Sequence, residues 1–260
     1  MQPLVLITGA SSGIGLALSR EFASKGWRLA LVARRADQIR KHMADLGLAQ
    51  ERFHAYPADV CDQAAMLNLA EDCLARQGLP DVVIANAGIS MGVDISEPDD
   101  LAVLSQILST NVMGVAATFA PFIGPMRVRG SGCLVGMSSV AGIRGLPGHG
   151  GYCASKSAVI SLCESLRGDL RGSGVRVQTI CPGYIATPLT EKNRYKMPFL
   201  MKSDAFARQA YKAIASGASY RVIPWQMAIV AKLLRALPDS WFDRLFAKRM
   251  RKARAPSAQI

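Results

Sequence analysis

The sequence has little of what metal-binding and disulfide-stabilised proteins depend on. It contains three histidines and six cysteines in 260 residues. The cysteines form no CxxC pair and show no Cys/His spacing typical of a zinc site. Most of them fall inside apolar runs, so we expect reduced core thiols in a cytoplasmic protein, with no metal and no disulfides.

The N-terminal sequence lacks the features of a secretory signal. MQPLVLITGASSGIG has no basic segment before its apolar run, and that run becomes glycine-rich too early for a signal peptide. Half of the residues are hydrophobic and 19% are charged, which is the balance of a packed globular protein. The length allows one large domain with a substantial core.

The excess of basic over acidic residues is concentrated near the C-terminus. Residues 1–190 contain 16 Lys and Arg against 15 Asp and Glu, whereas residues 191–260 contain 15 against 4. The formal net charge of +12 is therefore a local property of the C-terminal region.

Apolar strand patterns alternate with helical patterns along the chain. This alternation predicts a doubly wound, Rossmann-type α/β fold with a parallel sheet of about seven strands and helices on both faces. A single long helix is expected from about residue 99 to 127. In such sheets ligands bind at the carboxyl ends of the strands, where the winding reverses. The predicted strands are 4–8, 28–33, 52–57, 81–88, 132–139, 175–183 and, at the sheet edge, 220–224.

A glycine-rich turn, TGASSGIG, follows the first strand. Glycine allows a tight turn and a close approach of the backbone to a pyrophosphate, and the next helix offers free N–H groups at its positive end. The spacing GxxxGxG departs from the general dinucleotide fingerprint GxGxxG. It resembles the phosphate loop of the short-chain dehydrogenase/reductase family. The candidate cofactor residues here are Gly9, Ser11, Ser12, Gly13, Ile14 and Gly15.

The second strand ends in LVA and is followed by Arg34 and Arg35. Ala33 stands where NAD-binding folds carry an acid for the ribose 2′-hydroxyl. A guanidinium pairs with a 2′-phosphate, which a carboxylate would repel. The sequence therefore predicts NADP(H) rather than NAD(H). The alternative is two solvated arginines at a helix start.

The resemblance implies further cofactor contacts, and matching positions extend from residue 4 to about 190. It places two residues beside the adenine and a turn after the fourth strand along the cofactor. It also implies cofactor contacts for the two residues that end the sixth strand, and a hydrogen bond to the nicotinamide carboxamide for one residue beyond it. These residues are Asp59 and Val60, then Asn86, Ala87 and Gly88, then Pro182, Gly183 and Thr187.

Tyr152 and Lys156 lie one helical turn apart, on one face of the helix after the fifth strand. An ammonium group that close favours the ionised phenol, which can give a proton to a carbonyl or take one from an alcohol. Ser139 lies 13 residues upstream of Tyr152. The resemblance implies that Ser139 holds the substrate oxygen, that Lys156 also contacts the nicotinamide ribose, and that Asn111 helps place a water in the proton relay.

The stretch after Pro182-Gly183 resembles the mobile substrate lid of the family, over about residues 184–210. It contains Met197, Phe199, Leu200 and Met201, which favour an apolar substrate, although a lid that packs on its own protein would need the same residues.

We expect an oxidoreductase that transfers hydride between NADP(H) and a carbonyl or alcohol of a hydrophobic, lipid-derived molecule. The alternatives are a soluble reductase of small ketones and a non-catalytic dinucleotide-binding sensor or scaffold.

The tail after the last strand is basic and amphipathic. Its first part, residues 225–237, is too short and too charged to span a bilayer. In its second part an aromatic and aliphatic face opposes a basic face, which is typical of a helix in the membrane interface. The apolar face has Trp241, Phe242, Leu245 and Phe246, and the basic face has Arg244, Lys248 and Arg251.

We therefore divide the chain into a dinucleotide-binding catalytic domain, residues 1–224, and a tail, residues 225–260. The expected partner of the tail is an anionic membrane surface on the cytoplasmic side, and nucleic acid is not expected. The alternative is a helix pair that docks on the domain itself or on another subunit of a homo-oligomer.

Overall fold

The computed structural model describes residues 2–191, 193 and 196–247. The strands in this part of the chain are β1 (Leu4–Thr8), β2 (Arg28–Ala33), β3 (Phe53–Pro57), β4 (Val82–Ala85), β5 (Gly132–Met137), β6 (Val175–Pro182), β7 (Ile185–Ala186), β8 (Met201–Lys202) and β9 (Tyr220–Ile223). The α-helices are α1 (Gly13–Ser24), α2 (Ala36–Asp45), α3 (Gln63–Arg76), α4 (Asp100–Leu108), α5 (Gly114–Arg129), α6 (Gly150–Asp169), α7 (Pro188–Glu191), α8 (Ser203–Ala215), α9 (Trp225–Ala236) and α10 (Asp239–Phe246).

Seven of these strands form one sheet in the order β3-β2-β1-β4-β5-β6-β9, and every pairing is parallel. The predicted Rossmann-type fold is therefore confirmed, with the seventh strand at the edge. The chain winds outward from β1 to β3 and then returns to build β4 to β9 on the other side. The reversal between β1 and β4 opens a crevice at their carboxyl ends, where Thr8 and Ala85 lie.

Successive side chains of the central strands enter opposite layers of the core. Val5 and Ile7 pack with the buried faces of α1, α2 and α8, whereas Leu4 and Leu6 pack with α3, α5 and α6. This follows from the two-residue period of a strand, and it explains why strands covered on both faces read as continuous apolar runs.

Local side-chain and backbone chemistry sets the ends of several helices. The carboxylate of Asp62 accepts the N–H of Ala65 at 3.0 Å and so caps the start of α3. Gly130, with φ of +71°, ends α5 in the left-handed conformation that favours glycine. These caps orient the helices that cover the sheet.

The long helix predicted over residues 99–127 is divided. A π-helical turn, Ser109–Met113, separates α4 from α5. The segment Asp100–Arg129 is long and apolar enough to cross a membrane. However, the side chains of Phe119, Phe122 and Met126 are fully buried in the core beneath the sheet, so this segment is a core element of the domain.

The region after β6 contains a small parallel sheet, β7 with β8, which the sequence pattern did not indicate. The two strands bring the start of the expected lid next to Met201 and Lys202, which lie within it. Helix α8 then returns to the core, where Phe206, Ala207 and Ala210 are buried against α1. The assignment of a mobile lid to residues 184–210 stays a prediction.

The C-terminal helices dock on the domain, which was the alternative expectation for the tail. Met227 and Ala231 of α9 and Phe242 of α10 are buried. The expectation that Phe242 shares an exposed apolar face is wrong, because its ring lies under the guanidinium of Arg144. Trp241 and Leu245 are exposed as expected. Lys248 and Arg251 lie outside the described residues.

Candidate active site

A cleft of about 500 Å³ follows the carboxyl ends of β1, β2, β4, β5 and β6. Nearly all of the expected site residues line it. Gly15 and Asn111 are the two that do not; they stand directly behind its wall. The expected residues that line the cleft are Gly9, Ser11, Ser12, Gly13, Ile14, Arg34, Arg35, Asp59, Val60, Asn86, Ala87, Gly88, Ser139, Tyr152, Lys156, Pro182, Gly183 and Thr187.

The turn between β1 and α1 has no room for side chains at two of its glycines. Gly9 has φ of +68°, and a Cβ atom there would lie 2.9 Å from the Cα of Ala87. A Cβ atom on Gly15 would lie 2.2 Å from the carbonyl oxygen of Gly9. The resulting backbone cradle, at the N-terminus of α1, fits a pyrophosphate group.

Thr8 holds this loop against the turn after β4, and sequence reasoning missed it. Its Oγ1 accepts the backbone N–H groups of Asn86 at 3.0 Å and Ala87 at 3.1 Å. In return, Nδ2 of Asn86 donates to the carbonyl oxygen of Thr8 at 2.9 Å. A hydroxyl residue that ends a buried strand directly before a glycine turn was the available signal.

Two arginines and one acid lie at the end of the cleft beyond β2. The side chain of Arg34 is 72% exposed, and its Nη1 lies 3.7 Å from Oδ2 of Asp59. Arg35 is the residue that precedes the first turn of α2. Ala33, which lines the cleft, leaves no carboxylate at the end of β2.

The catalytic candidates meet between β5 and α6. Ser139 follows β5, and its Oγ accepts the backbone N–H of Ala141 at 3.2 Å. Tyr152 lies in the first turn of α6, and the Lys156 Nζ lies 5.8 Å from the centroid of its ring. The three side chains therefore face one stretch of the cleft.

Lys156 is buried, and two hydrogen bonds fix it to the end of β5. Its Nζ donates to the carbonyl oxygen of Met137 at 2.9 Å. The backbone carbonyl oxygen of Lys156 accepts a hydrogen bond from the Ser138 hydroxyl at 2.6 Å. Ser138 therefore positions Lys156, a role that the sequence did not reveal. Burial disfavours the ammonium form and lowers the pKa of Lys156 to about 8.

Asn111 lies in the π-helical turn and is fully buried. Its Oδ1 accepts the N–H of Ile89 at 2.8 Å, while its Nδ2 donates to the Ile89 carbonyl and to Ser155 Oγ, both at 2.9 Å. A Cβ atom on Gly88 would lie 3.2 Å from Asn111 Oδ1 and 3.4 Å from Lys156 Nζ. Asn111 and Lys156 therefore both lie beside Gly88, and Ser155 is an additional member of the Asn111 network. The role of Asn111 in placing a water stays a prediction.

The start of the expected lid lies against the phosphate loop. A Cβ atom on Gly13 would contact the side chain of Thr187 at 3.4 Å. Thr190 stabilises this segment, because its hydroxyl donates to the Ile185 carbonyl at 2.6 Å and accepts the N–H of Thr187 at 3.1 Å. The segment after β6 thus closes one side of the cleft.

Comparisons with known proteins agree with this architecture. The family model for short chain dehydrogenases matches residues 3–198. An uncharacterised oxidoreductase from Myxococcus xanthus is 38% identical over 246 residues, which are 95% of this chain and 96% of that protein.

Two solved structures are similar in fold. A short-chain dehydrogenase/reductase from Burkholderia phymatum in complex with NAD has a TM-score of 0.81 at 24% identity, over 98% of this chain and 97% of that one. ElxO with NADP bound has a TM-score of 0.77 at 22% identity, over 86% and 97%. The match of the family model over most of the chain shows that the protein belongs to the short-chain dehydrogenase/reductase family of oxidoreductases.

Proposed function

We propose that the protein transfers hydride between NADP(H) and a carbonyl or alcohol group of a hydrophobic, lipid-derived substrate. The observation that carries the proposal is the arrangement of Ser139, Tyr152 and Lys156 along one cleft, with Asn111 and Lys156 both next to Gly88 in its wall. A sensor that only binds a dinucleotide has no use for a complete proton-transfer set.

The roles follow from the contacts of each side chain. The buried Lys156 ammonium favours the ionised phenol of Tyr152, so that Tyr152 can exchange a proton with the substrate oxygen. Ser139, anchored at the end of β5, can donate its hydroxyl hydrogen to the same oxygen. The bound nicotinamide supplies or accepts the hydride. Asn111 hydrogen-bonds the backbone N–H and carbonyl groups of Ile89 and so fixes the turn after β4 near Lys156.

The preference for NADP(H) is supported by charge at the ribose end of the cleft. Arg34 is mostly exposed and can turn toward a 2′-phosphate, and Arg35 lines the same end. The carboxylate of Asp59 is already within 3.7 Å of Arg34, so its repulsion of a phosphate is partly offset. A guanidinium matches a phosphate group in geometry as well as in charge.

An apolar substrate is supported by the residues at the other end. Ile185 and Leu189 line the cleft. Phe199 and Leu200, directly before β8, are each 50% exposed. Ile185 is itself a buried core residue. Leu189, Phe199 and Leu200 are exposed and available to cover an alkyl chain, because the structure does not use them to fill its own core.

The test is reduction of 2-alkanones, from 2-butanone to 2-decanone, with NADPH. Each buried methylene contributes about 0.8 kcal/mol, so kcat/KM should rise roughly fourfold per carbon until the apolar surface is filled. A reductase of small ketones would instead favour the shortest substrate, and a sensor would turn over none.

A pair of variants tests the assigned chemistry. Tyr152→Phe should abolish turnover and leave NADPH affinity nearly unchanged, because the phenol acts in proton transfer. Tyr211→Phe is the matched control, since Tyr211 packs on Phe22, away from the cleft. Near-normal activity of Tyr152→Phe would show that the chemistry lies elsewhere.

We also propose that the docked tail binds an anionic bilayer at the cytoplasmic face. Trp225, Ile229 and Leu233 recur at four-residue spacing on α9 and are 66%, 51% and 66% exposed. On α10, Trp241 and Leu245 are each 65% exposed. Residues 225–260 contain eight Lys and Arg against two Asp and Glu. An apolar surface within a basic region complements anionic headgroups, which attract each nearby cation by about 1 kcal/mol.

Co-sedimentation with vesicles tests this second proposal. The protein should bind phosphatidylserine-containing vesicles at low salt, bind pure phosphatidylcholine weakly, and be released as salt is raised. Leu233→Glu and Trp241→Glu should each weaken binding, whereas Val128→Glu should not, because Val128 is 92% exposed at the end of α5. Failure to bind anionic vesicles at low salt would contradict the proposal.

Association between copies through the same surface would instead appear as a homo-oligomer in sedimentation velocity, and the glutamate variants would dissociate it.

A further inference from the structure

The guanidinium of Arg144 lies where α9 ends and α10 begins. Its Nη1 donates to the carbonyl oxygen of Leu234 and, at 2.6 Å, to that of Leu237. Its Nη2 donates to the carboxylate of Asp239 at 2.7 Å. The last carbonyls of a helix have no partner within the helix and carry partial negative charge, so a cation satisfies them and stabilises this end.

The same side chain is also packed. The carbon at the centre of the guanidinium lies 4.0 Å from the ring centroid of Phe242, which is 6% exposed. The Arg144 side chain itself is 12% exposed. A flat guanidinium can stack on a ring and donate in several directions at once, which an ammonium group cannot. One arginine therefore joins both C-terminal helices.

Arg144 belongs to the loop that carries the catalytic serine, five residues after Ser139. This loop is tightly held on its other side. The hydroxyl of Ser157 donates to the carbonyl oxygen of Gly142 at 2.6 Å, and a Cβ atom on Gly142 would lie 2.7 Å from the carbonyl carbon of Lys156. The loop therefore links the C-terminal helices to the catalytic turn of α6.

Helix α9 also contacts the base of the expected lid. A Cβ atom on Gly183 would lie 2.8 Å from Cγ of Met227. Met227 belongs to a small apolar cluster against which Val140, Ile143 and Tyr184 pack. Two of these residues follow Ser139 closely and the third opens the lid segment. The tail is thus packed against both sides of the substrate end of the cleft.

We propose that Arg144 is a positioning residue that fixes α9 and α10 against the loop of Ser139, so that the C-terminal helices set the affinity for substrate. The inference rests on the proposed reductase function for its kinetic consequences. Arg144 does not line the cleft, so it acts through the loop and not by contact with the reacting atoms.

The experiment compares Arg144→Ala, Arg144→Lys and Asp239→Asn in the full chain, with 2-octanone and NADPH as probes. Arg144→Ala should raise KM for the ketone about tenfold and lower kcat by less than about threefold, with NADPH affinity unchanged. Arg144→Lys should restore only part of this loss. Asp239→Asn should change KM less than about twofold, because the Asp239 side chain is 97% exposed and such ion pairs contribute little.

Hydrogen exchange gives a readout that needs no turnover. In Arg144→Ala the amides of residues 140–149 and 225–246 should exchange faster, while those of β1 and α1 keep their protection. If wild type reduces no alkanone, the proposed function fails, and the exchange data alone decide whether Arg144 fixes the helices.

Three results would overturn the inference. One is a KM for Arg144→Ala equal to that of wild type. Another is a loss of NADPH affinity as large as the rise in KM, because it would indicate general destabilisation. The third is unchanged exchange in residues 225–246.

Discussion

Gly15→Ala is the sharpest perturbation that the cofactor loop offers. Gly15 lies in the first turn of α1 and has no room for a side chain. The new methyl group would lie 2.2 Å from the Gly9 carbonyl oxygen and 2.7 Å from Nδ2 of Asn86, whereas real Cβ atoms stay at least 3.0 Å away. The loop or the helix must therefore shift by roughly 0.8 Å.

The loop cannot shift without cost. The hydrogen bonds between Thr8 and Asn86 hold it in place, and the backbone of Ala87 lies so near that a Cβ atom on Gly9 would be 2.9 Å from its Cα. Forced overpacking of this kind costs about 1–3 kcal/mol of folding free energy. The same shift moves the N–H groups that would hold the pyrophosphate. The loss of one hydrogen bond to a charged group, about 1.5–3 kcal/mol, weakens binding roughly tenfold to hundredfold.

The assay is a fluorescence titration with NADPH, together with thermal denaturation of the unliganded protein. Gly168→Ala is the matched control, because Gly168 lies in α6 and, apart from its chain neighbours and the nearby backbone of its own helix, no atom comes within 4 Å of the position that its new methyl group would occupy. That variant should keep NADPH affinity and gain up to about 1 kcal/mol in stability from helix propensity. Wild-type NADPH affinity in Gly15→Ala, with an unchanged melting temperature, would refute the reasoning.

Three further predictions concern other parts of the cleft. NADPH should bind at least about tenfold more tightly than NADH, a difference of about 1.4 kcal/mol. Arg34→Ala with Arg35→Ala should remove this preference, whereas Arg40→Ala on α2 should keep it; equal affinities in wild type would contradict the assignment. Ketone reduction should fall about tenfold per pH unit above pH 8, because burial lowers the pKa of Lys156 to about 8 and the ammonium is lost above that value. A pH–rate profile that stays flat to about pH 10 would exclude this role. Thr8→Val should cost about 1–3 kcal/mol for each of the two N–H groups left without an acceptor, as measured by urea unfolding, while Thr8→Ser should cost little; equal stability of the two variants would show that the hydroxyl is dispensable.

The parallel sheet could be predicted because its signal is local. Each central strand is covered on both faces, so its sequence is a short, continuous apolar run between turn residues. The edge strand β9 was predicted as well, although Tyr220 and Arg221 in it are exposed. The small sheet of β7 and β8 was missed, because two-residue strands have no periodicity. The π-helical turn at Asn111 was missed as well, since the sequence around it continues the helical pattern.

Which side chains support the site was decided by contacts between distant residues. Thr8 meets the turn after β4, and Ser155 meets Asn111 across 44 positions. No spacing rule connects such pairs. Phe242 shows the same limit in the tail, because helical periodicity placed it on an apolar face but could not show that Arg144 covers its ring.

The sequence by itself determined the order of strands and helices, the glycine positions of the phosphate loop and the Tyr152–Lys156 pair, because each depends on neighbours within a few residues. The tertiary structure alone decided how deeply Lys156 is buried and hence its lowered pKa. It alone also decided that the C-terminal helices dock against the loop of Ser139 through Arg144. Burial and long-range hydrogen bonds depend on how separate elements pack together, and the local pattern of residues does not contain that information.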